Sequence, residues 1–197
     1  TVETKADGIT YVTQKDDKQA DGYARNENDD ILHDYQDKTD VTITSNGKKT
    51  ENTITVETAK DQTTDVTLEN VHIETERSWD NTGSAPIEIK GDGDTNLELN
   101  GNNTVLSGSS KHAGIEKADV NGTGTLTIKD DLNDNGKEKS GTDATGTLVA
   151  GGCYNGAGIG GGGYHDGKSY NAPCNSTITG GHMTGSGCTH AGGIGCG

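Results

Sequence analysis

The segment Asp131-Leu132-Asn133-Asp134-Asn135-Gly136 places side-chain oxygens at alternate positions ahead of a glycine, the first half of a loop whose oxygens converge on Ca²⁺. The second half departs from that pattern, because the twelfth position is Thr142 instead of a bidentate glutamate. An EF-hand is therefore not expected. Asp131, Asn133 and Asn135 stand as a partial calcium loop that water or Glu138 would complete, and a solvated polar loop is the competing reading. Gly156-Ala157-Gly158-Ile159-Gly160-Gly161 satisfies the dinucleotide pattern G-x-G-x-x-G. That chemistry needs a helix N-terminus to hold a pyrophosphate, and no helical period follows, so the run is read as structural. The six histidines form no metal motif. His112 and His190 each precede Ala-Gly, but two repeats apart they would lie roughly 10 Å from each other.

Two further sets bear on binding and redox chemistry. Saccharide recognition uses aromatic surfaces beside planar polar groups, and the candidates are Trp79 in Ser78-Trp79-Asp80-Asn81 with Tyr154, Tyr164 and Tyr170. Loop aromatics that merely cover a core are the alternative. The four cysteines, Cys153, Cys174, Cys188 and Cys196, form an even set in a chain of secreted character, which favours disulfides over free buried thiols. Thr147–Cys153 aligns with His182–Cys188 without a gap. One strand-to-strand step of about 4.8 Å lies inside the Cα separation a disulfide accepts. Cys153–Cys188 is therefore preferred, leaving Cys174–Cys196, while the other two pairings stay open.

These residues need a scaffold, and the chain is built of repeats. First strands are expected at 65–70 (DVTLEN), 95–100 (TNLELN), 124–129 (GTLTIK) and 175–180 (NSTITG). Second strands follow at 71–74, 104–107, 146–150 and 181–185. Third strands lie at 85–89 (APIEI), 113–117 (AGIEK), 157–161 (AGIGG) and 191–195 (AGGIG). Taking Leu68, Leu97 and Leu126 as equivalent gives a period of 29 residues. The longer step to Ile178 fits insertions at 130–145 and 162–173, where repeat architectures place them. Each repeat carries few aliphatics and two open strand edges, so it buries neither alone, and stacked neighbours supply both. The expected class is all-β, a right-handed parallel β-helix with three sides over residues 41–197. Residues 1–40 are expected to be an irregular leader or N-terminal cap. An antiparallel β-sandwich is the alternative, and it explains the recurring Ala-Gly-Ile poorly.

The run 97–117 (LELNGNNTVLSGSSKHAGIEK), with 124–128 (GTLTI) and 156–162 (GAGIGGG), resembles the repeats of β-helical surface proteins of Gram-positive gut bacteria. The resemblance covers residues 64–197. It implies a fold like that of pectate lyases and, because some members are described as carbohydrate-binding, contact with polysaccharide. Enzymes of that fold that cleave uronic polymers pair Ca²⁺-binding carboxylates with a Lys or Arg base, and hydrolases use neighbouring acids. Arginine occurs only at Arg25 and Arg77, and Glu74, Glu88, Glu98 and Glu116 read equally as ordinary outward strand residues. A polysaccharide lyase or hydrolase is the lesser alternative, and no Ser/His/Asp arrangement can be picked out.

Composition narrows the partners. With 31 Asp+Glu against 16 Lys+Arg and a net charge of −15, the surface repels nucleic-acid phosphates. No stretch approaches the 18 or more apolar residues that span a bilayer. Only 27% of residues are hydrophobic and Phe is absent, so order must come from repetition rather than from a broad core. The expected role is an extracellular binding module, secreted or wall-attached, that recognises a glycan or host glycoprotein. The competing role is a structural subunit or stalk stacking end to end into a homopolymer. The chain is expected to be cut from a longer protein or open at its C-terminal end.

Overall fold

A computed structural model describes residues 1–13, 23–25, 28, 41–79, 83–117, 122–130, 137, 139, 145–163, 176–188 and 190–195. Asp131, Asn133, Asn135, Tyr164, Tyr170, Cys174 and Cys196 lie outside them. The described chain is all-β, in three sheets whose neighbouring strands are parallel except at one end.

The six-stranded sheet runs Ser176–Ile178, Leu126–Asp130, Asp94–Asn100, Thr63–Glu69, Val41–Thr44, Tyr23–Arg25. A five-stranded sheet runs His182–Ser186, Thr147–Gly151, Asn102–Leu106, His72–Glu74, Lys49–Thr50. The seven-stranded sheet runs Ile194–Gly195, Ile159–Gly160, Ile115–Lys117, Ile87–Lys90, Ile54–Thr58, Val2–Thr4, Thr10–Val12. From Val41 onward, successive strands visit the three sheets in one fixed order. Alternation of side chains sends Val66, Leu68, Leu97, Leu99, Leu126 and Ile128 inward, and all are essentially inaccessible to solvent. Ile73, Val105 and Leu148 from the second sheet and Ile87, Ile115 and Ile159 from the third join them in one hydrophobic cluster.

The register corrects the expected period. Leu97 lies beside Val66 and Ile128, and Leu68 beside Leu99, so Leu68, Leu97 and Leu126 are not equivalent positions. The separation of bonded neighbours here is 31 residues. A slip of two residues keeps every side chain on its own face, so aliphatic alternation alone accepts 29 as readily as 31. Polar pairs decide between them. Asn96 Nδ2 donates to Asp65 Oδ1 at 2.8 Å, and Thr125 donates to Asp94 Oδ1 from its backbone N–H at 2.9 Å and its hydroxyl at 2.7 Å. These bonds hold the Asp94 carboxyl below the usual carboxylate range. A second correction concerns the last third strand: Ile194 pairs with Ile159, so Ala191 stands one residue out of line with Ala157.

The N-terminal segment contributes strands of its own. Val2–Thr4 runs parallel to Ile54–Thr58, and Thr10–Val12 returns antiparallel beside it, which puts Val2 and Val12 in the buried cluster. Tyr23–Arg25 lies antiparallel against Val41–Thr44, and Arg25 pairs with Glu69 at 2.6 Å. Near this end a chain of buried hydroxyls, Thr10–Thr4–Thr64–Thr58–Thr95, links the six- and seven-stranded sheets at 2.6–3.1 Å. Each of these threonine hydroxyls has at least one hydrogen-bond partner, so interior positions there are filled with fewer aliphatics.

Candidate functional site

The turns entering the seven-stranded sheet lie one above another. Ser78 and Ser109 form a parallel bridge, and Ser110 N–H donates to Ser78 O at 2.7 Å. In the next turn along, Lys111 N–H is shared between Cys153 O at 3.0 Å and Tyr154 O at 2.9 Å. Lys111, Tyr154 and Asn155 all hold positive φ, the tight conformation that lets consecutive turns repeat at so short a distance. The approach requires glycine at Gly156, where an added Cβ would lie 2.1 Å from His112 O.

This stacking brings together two of the expected binding residues from turns far apart in sequence. The rings of Trp79 and Tyr154 stand 6.3 Å apart between centroids and 72° between planes, a floor and a wall. Both are open to solvent, Trp79 at 59% and Tyr154 at 44%, whereas Ser110 in the turn between them is 3% exposed. The Arg77 guanidinium lies 4.3 Å from the Trp79 ring centroid. A cation over an indole face is attracted by the ring quadrupole, so it orders an otherwise free side chain.

The cysteines flank this cluster. Thr147–Gly151 and His182–Ser186 pair in the expected register, and Gly152 N–H continues it to Ser186 O at 3.0 Å. The expected Cys153–Cys188 bridge is nevertheless not formed. Register supplies proximity, but a disulfide also needs the two Cβ–Sγ vectors turned toward one another. Burial and the neighbouring Cys188 push the Cys153 thiol above its ordinary value, with the Arg77 charge opposing them.

No family model matches the chain, and neither a curated protein nor a solved structure matches it.

The carboxylates weighed for catalysis each have a partner. Glu74 pairs with Lys49 and His72, which lower its pKa; Glu88 pairs with Lys90 at 2.8 Å, and Glu98 with Lys129 at 2.7 Å. Glu116 accepts from Ala113 N–H at 2.9 Å and lies 3.1 Å from His112 Nδ1. Among the described residues no group of three His, Cys, Asp or Glu side chains is placed to hold a metal ion. A concavity of about 480 Å³ lies where the six- and five-stranded sheets meet, lined by Asn46, Asn70, His72, Asn102 and Thr104. Two of its amides are engaged: Asn70 Oδ1 accepts from Asn102 N–H at 3.1 Å, and Asn102 Oδ1 accepts from the Thr147 hydroxyl at 3.0 Å.

The Glu116 carboxylate raises the His112 pKa above the ordinary imidazole value, against the opposing effect of burial. Its stabilising share is therefore fully present below the unfolded histidine pKa and is lost as pH rises through the folded one. Melting temperatures of the native chain and His112→Asn should differ most in mildly acidic buffer and converge above neutrality. A difference that is independent of pH would show that His112 contributes by packing alone.

Sequence reasoning missed Arg77 as a site residue. The available signal was an arginine two residues before the only tryptophan, in a chain with just two arginines.

Proposed function

We propose that the chain is a three-sided parallel β-helix acting as an extracellular binding module, and that Trp79 and Tyr154 form its saccharide platform. The β-helix reading is supported by the fixed visiting order of the strands, the in-register parallel pairs and the single aliphatic cluster drawn from all three sheets. The observation that carries the binding role is the convergence of two exposed aromatic rings on one corner. Keeping an indole in water forgoes roughly 1.5–3 kcal/mol of burial, and a ring floor with a ring wall matches the apolar C–H face of a pyranose beside its hydroxyl edge. The extracellular setting rests on the acidic, threonine- and glycine-rich composition.

Glycan-array binding of the intact chain and of Trp79→Ala, each with and without Ca²⁺, tests this reading. Loss of the indole should weaken binding by about 2 kcal/mol, roughly thirtyfold, with an unchanged β-sheet circular dichroism spectrum. Equal binding by both proteins would remove Trp79 from the site. The Ca²⁺ arm reports on Asp131, Asn133 and Asn135, whose loop would take the ion. A structural role by end-to-end stacking is favoured by one observation: Ile178 and Ile194, on the outermost described strands, are 37% and 49% exposed. Under that reading the chain binds no glycan, and its light scattering rises with concentration.

A further inference from the structure

Arg77 is held differently from the surface cations that pair with carboxylates. Arg25 is matched to Glu69, Lys49 to Glu74, Lys90 to Glu88 and Lys129 to Glu98. Among the described residues no carboxylate pairs with Arg77, and its exposed chain neighbour Glu76 makes no ion pair with it. What holds Arg77 is the Trp79 indole, 4.3 Å below. Stacking occupies the flat face of a guanidinium and leaves its N–H edge free, the edge that matches a carboxylate or sulfate in a two-pronged hydrogen bond.

Charge adds a second constraint. A chain of net charge −15 repels anions over most of its surface, so an anionic ligand needs a local cation where it lands. The exposed aromatic corner has one. The Cys153 thiol, beside Tyr154, also feels the Arg77 charge, so the guanidinium bears on both turns of the platform and not on the indole alone.

We infer that the Trp79–Tyr154 platform takes an anionic saccharide, a sugar bearing a carboxylate or sulfate whose charge pairs with Arg77 while its ring lies on the aromatic floor. This rests on the saccharide-binding reading and specifies its ligand. Hexuronates and sulfated hexoses share the needed chemistry, a pyranose with a planar or tripodal oxyanion at its rim.

The test is titration calorimetry of the full chain with three oligosaccharides of equal length: a neutral hexose oligomer, its uronate counterpart and its sulfated counterpart. At least one charged oligomer should bind about tenfold or more tightly than the neutral one, the scale of one charge-assisted pair. Which of the two does so identifies the anion. Arg77→Gln should bring the charged oligomer down to the affinity that the same variant has for the neutral one, and Arg77→Lys should recover only part of the gap. Raising salt should narrow the gap in the native chain and not in Arg77→Gln. Trp79→Ala should weaken all three ligands, by roughly thirtyfold for the neutral one.

Two results would overturn the inference while leaving a saccharide platform standing. One is equal affinity of the native chain for neutral and charged oligomers. The other is an Arg77→Gln chain that weakens for all three alike, which would mean that the guanidinium only props the indole. Binding of none of the three would sink both the inference and the platform beneath it.

Discussion

Leu97→Ala should cost about 3–5 kcal/mol of unfolding free energy, the range for deleting a large buried aliphatic where the surroundings cannot close the gap. Leu97 is fully buried, with Val66 on one neighbouring strand and Ile128 on the other in direct register. The column is one side chain wide, and its neighbours are fixed by ladders on both flanks, so collapse into the cavity would need the sheets to move. Against a typical domain stability of about 5–15 kcal/mol, the loss is roughly a fifth of the total or more. Val149→Ala is the control, since that side chain points outward and is 41% exposed; it should cost less than about 1 kcal/mol. Urea midpoints of the two variants decide the matter. If they fall within about 1 kcal/mol of each other, the aliphatics do not form one shared interior, and the β-helix reading fails with it.

The same column marks how far the sequence could be read. Inward and outward faces were legible along most strands, because alternation of Leu and Ile with Glu, Thr and Asn has only one solution once one face is dry, but Glu116, read as outward, is buried with Lys117 beside Ile115. The step between repeats was not, because Leu68, Leu97 and Leu126 align at 29 and the aliphatic pattern tolerates a slip of two. The information lay in residues that look interchangeable in a sequence: Asp65 under Asn96, Asp94 under Thr125, and Thr95 sharing a buried hydroxyl chain with Thr58. Each is weak alone, and only a bonding partner on the next strand gives it meaning. The slip at Ala191 has a similar origin, since Ala-Gly-Gly-Ile offers two ways to place Ala-Gly, and the backbone follows Ile194 because isoleucine alone must sit above Ile159.

At the candidate site, residue types were legible and their company was not. Trp79 stood out as a lone indole in a polar loop, and Tyr154 as one of three tyrosines near an insertion. Nothing in their spacing announced that two turns would set their rings 6.3 Å apart, because that depends on the turn between them repeating the same left-handed backbone. Arg77 was passed over for a different reason. Its role comes from the indole it stacks on and from having no carboxylate partner among the described residues, and such company is a property of the folded surface.

Gly91→Ala tests the other requirement of a tightly repeated chain, that backbones meet where no side chain fits. Gly91 has φ of +88°, and an added Cβ would lie 2.1 Å from Thr58 O and 2.9 Å from Thr58 C. Thr58 cannot withdraw cheaply, since its carbonyl accepts from Gly93 N–H at 3.0 Å and its hydroxyl bonds Thr64 at 2.8 Å and Thr95 at 3.1 Å in the buried chain. Gly47 provides the comparison: its φ is +69°, yet nothing lies within 4 Å of the added methyl. Gly47→Ala therefore carries only the left-handed penalty of about 1–2 kcal/mol. Gly91→Ala carries that penalty plus displacement of a hydrogen-bonded backbone, about 3 kcal/mol or more in all. Denaturation of the two variants side by side separates conformational strain from steric contact. A Gly91→Ala chain as stable as Gly47→Ala would mean that the turn can relax away from Thr58 without disturbing the hydroxyl chain. The close spacing of successive repeats would then be held by their aliphatic interior instead of by backbone contact at the corners.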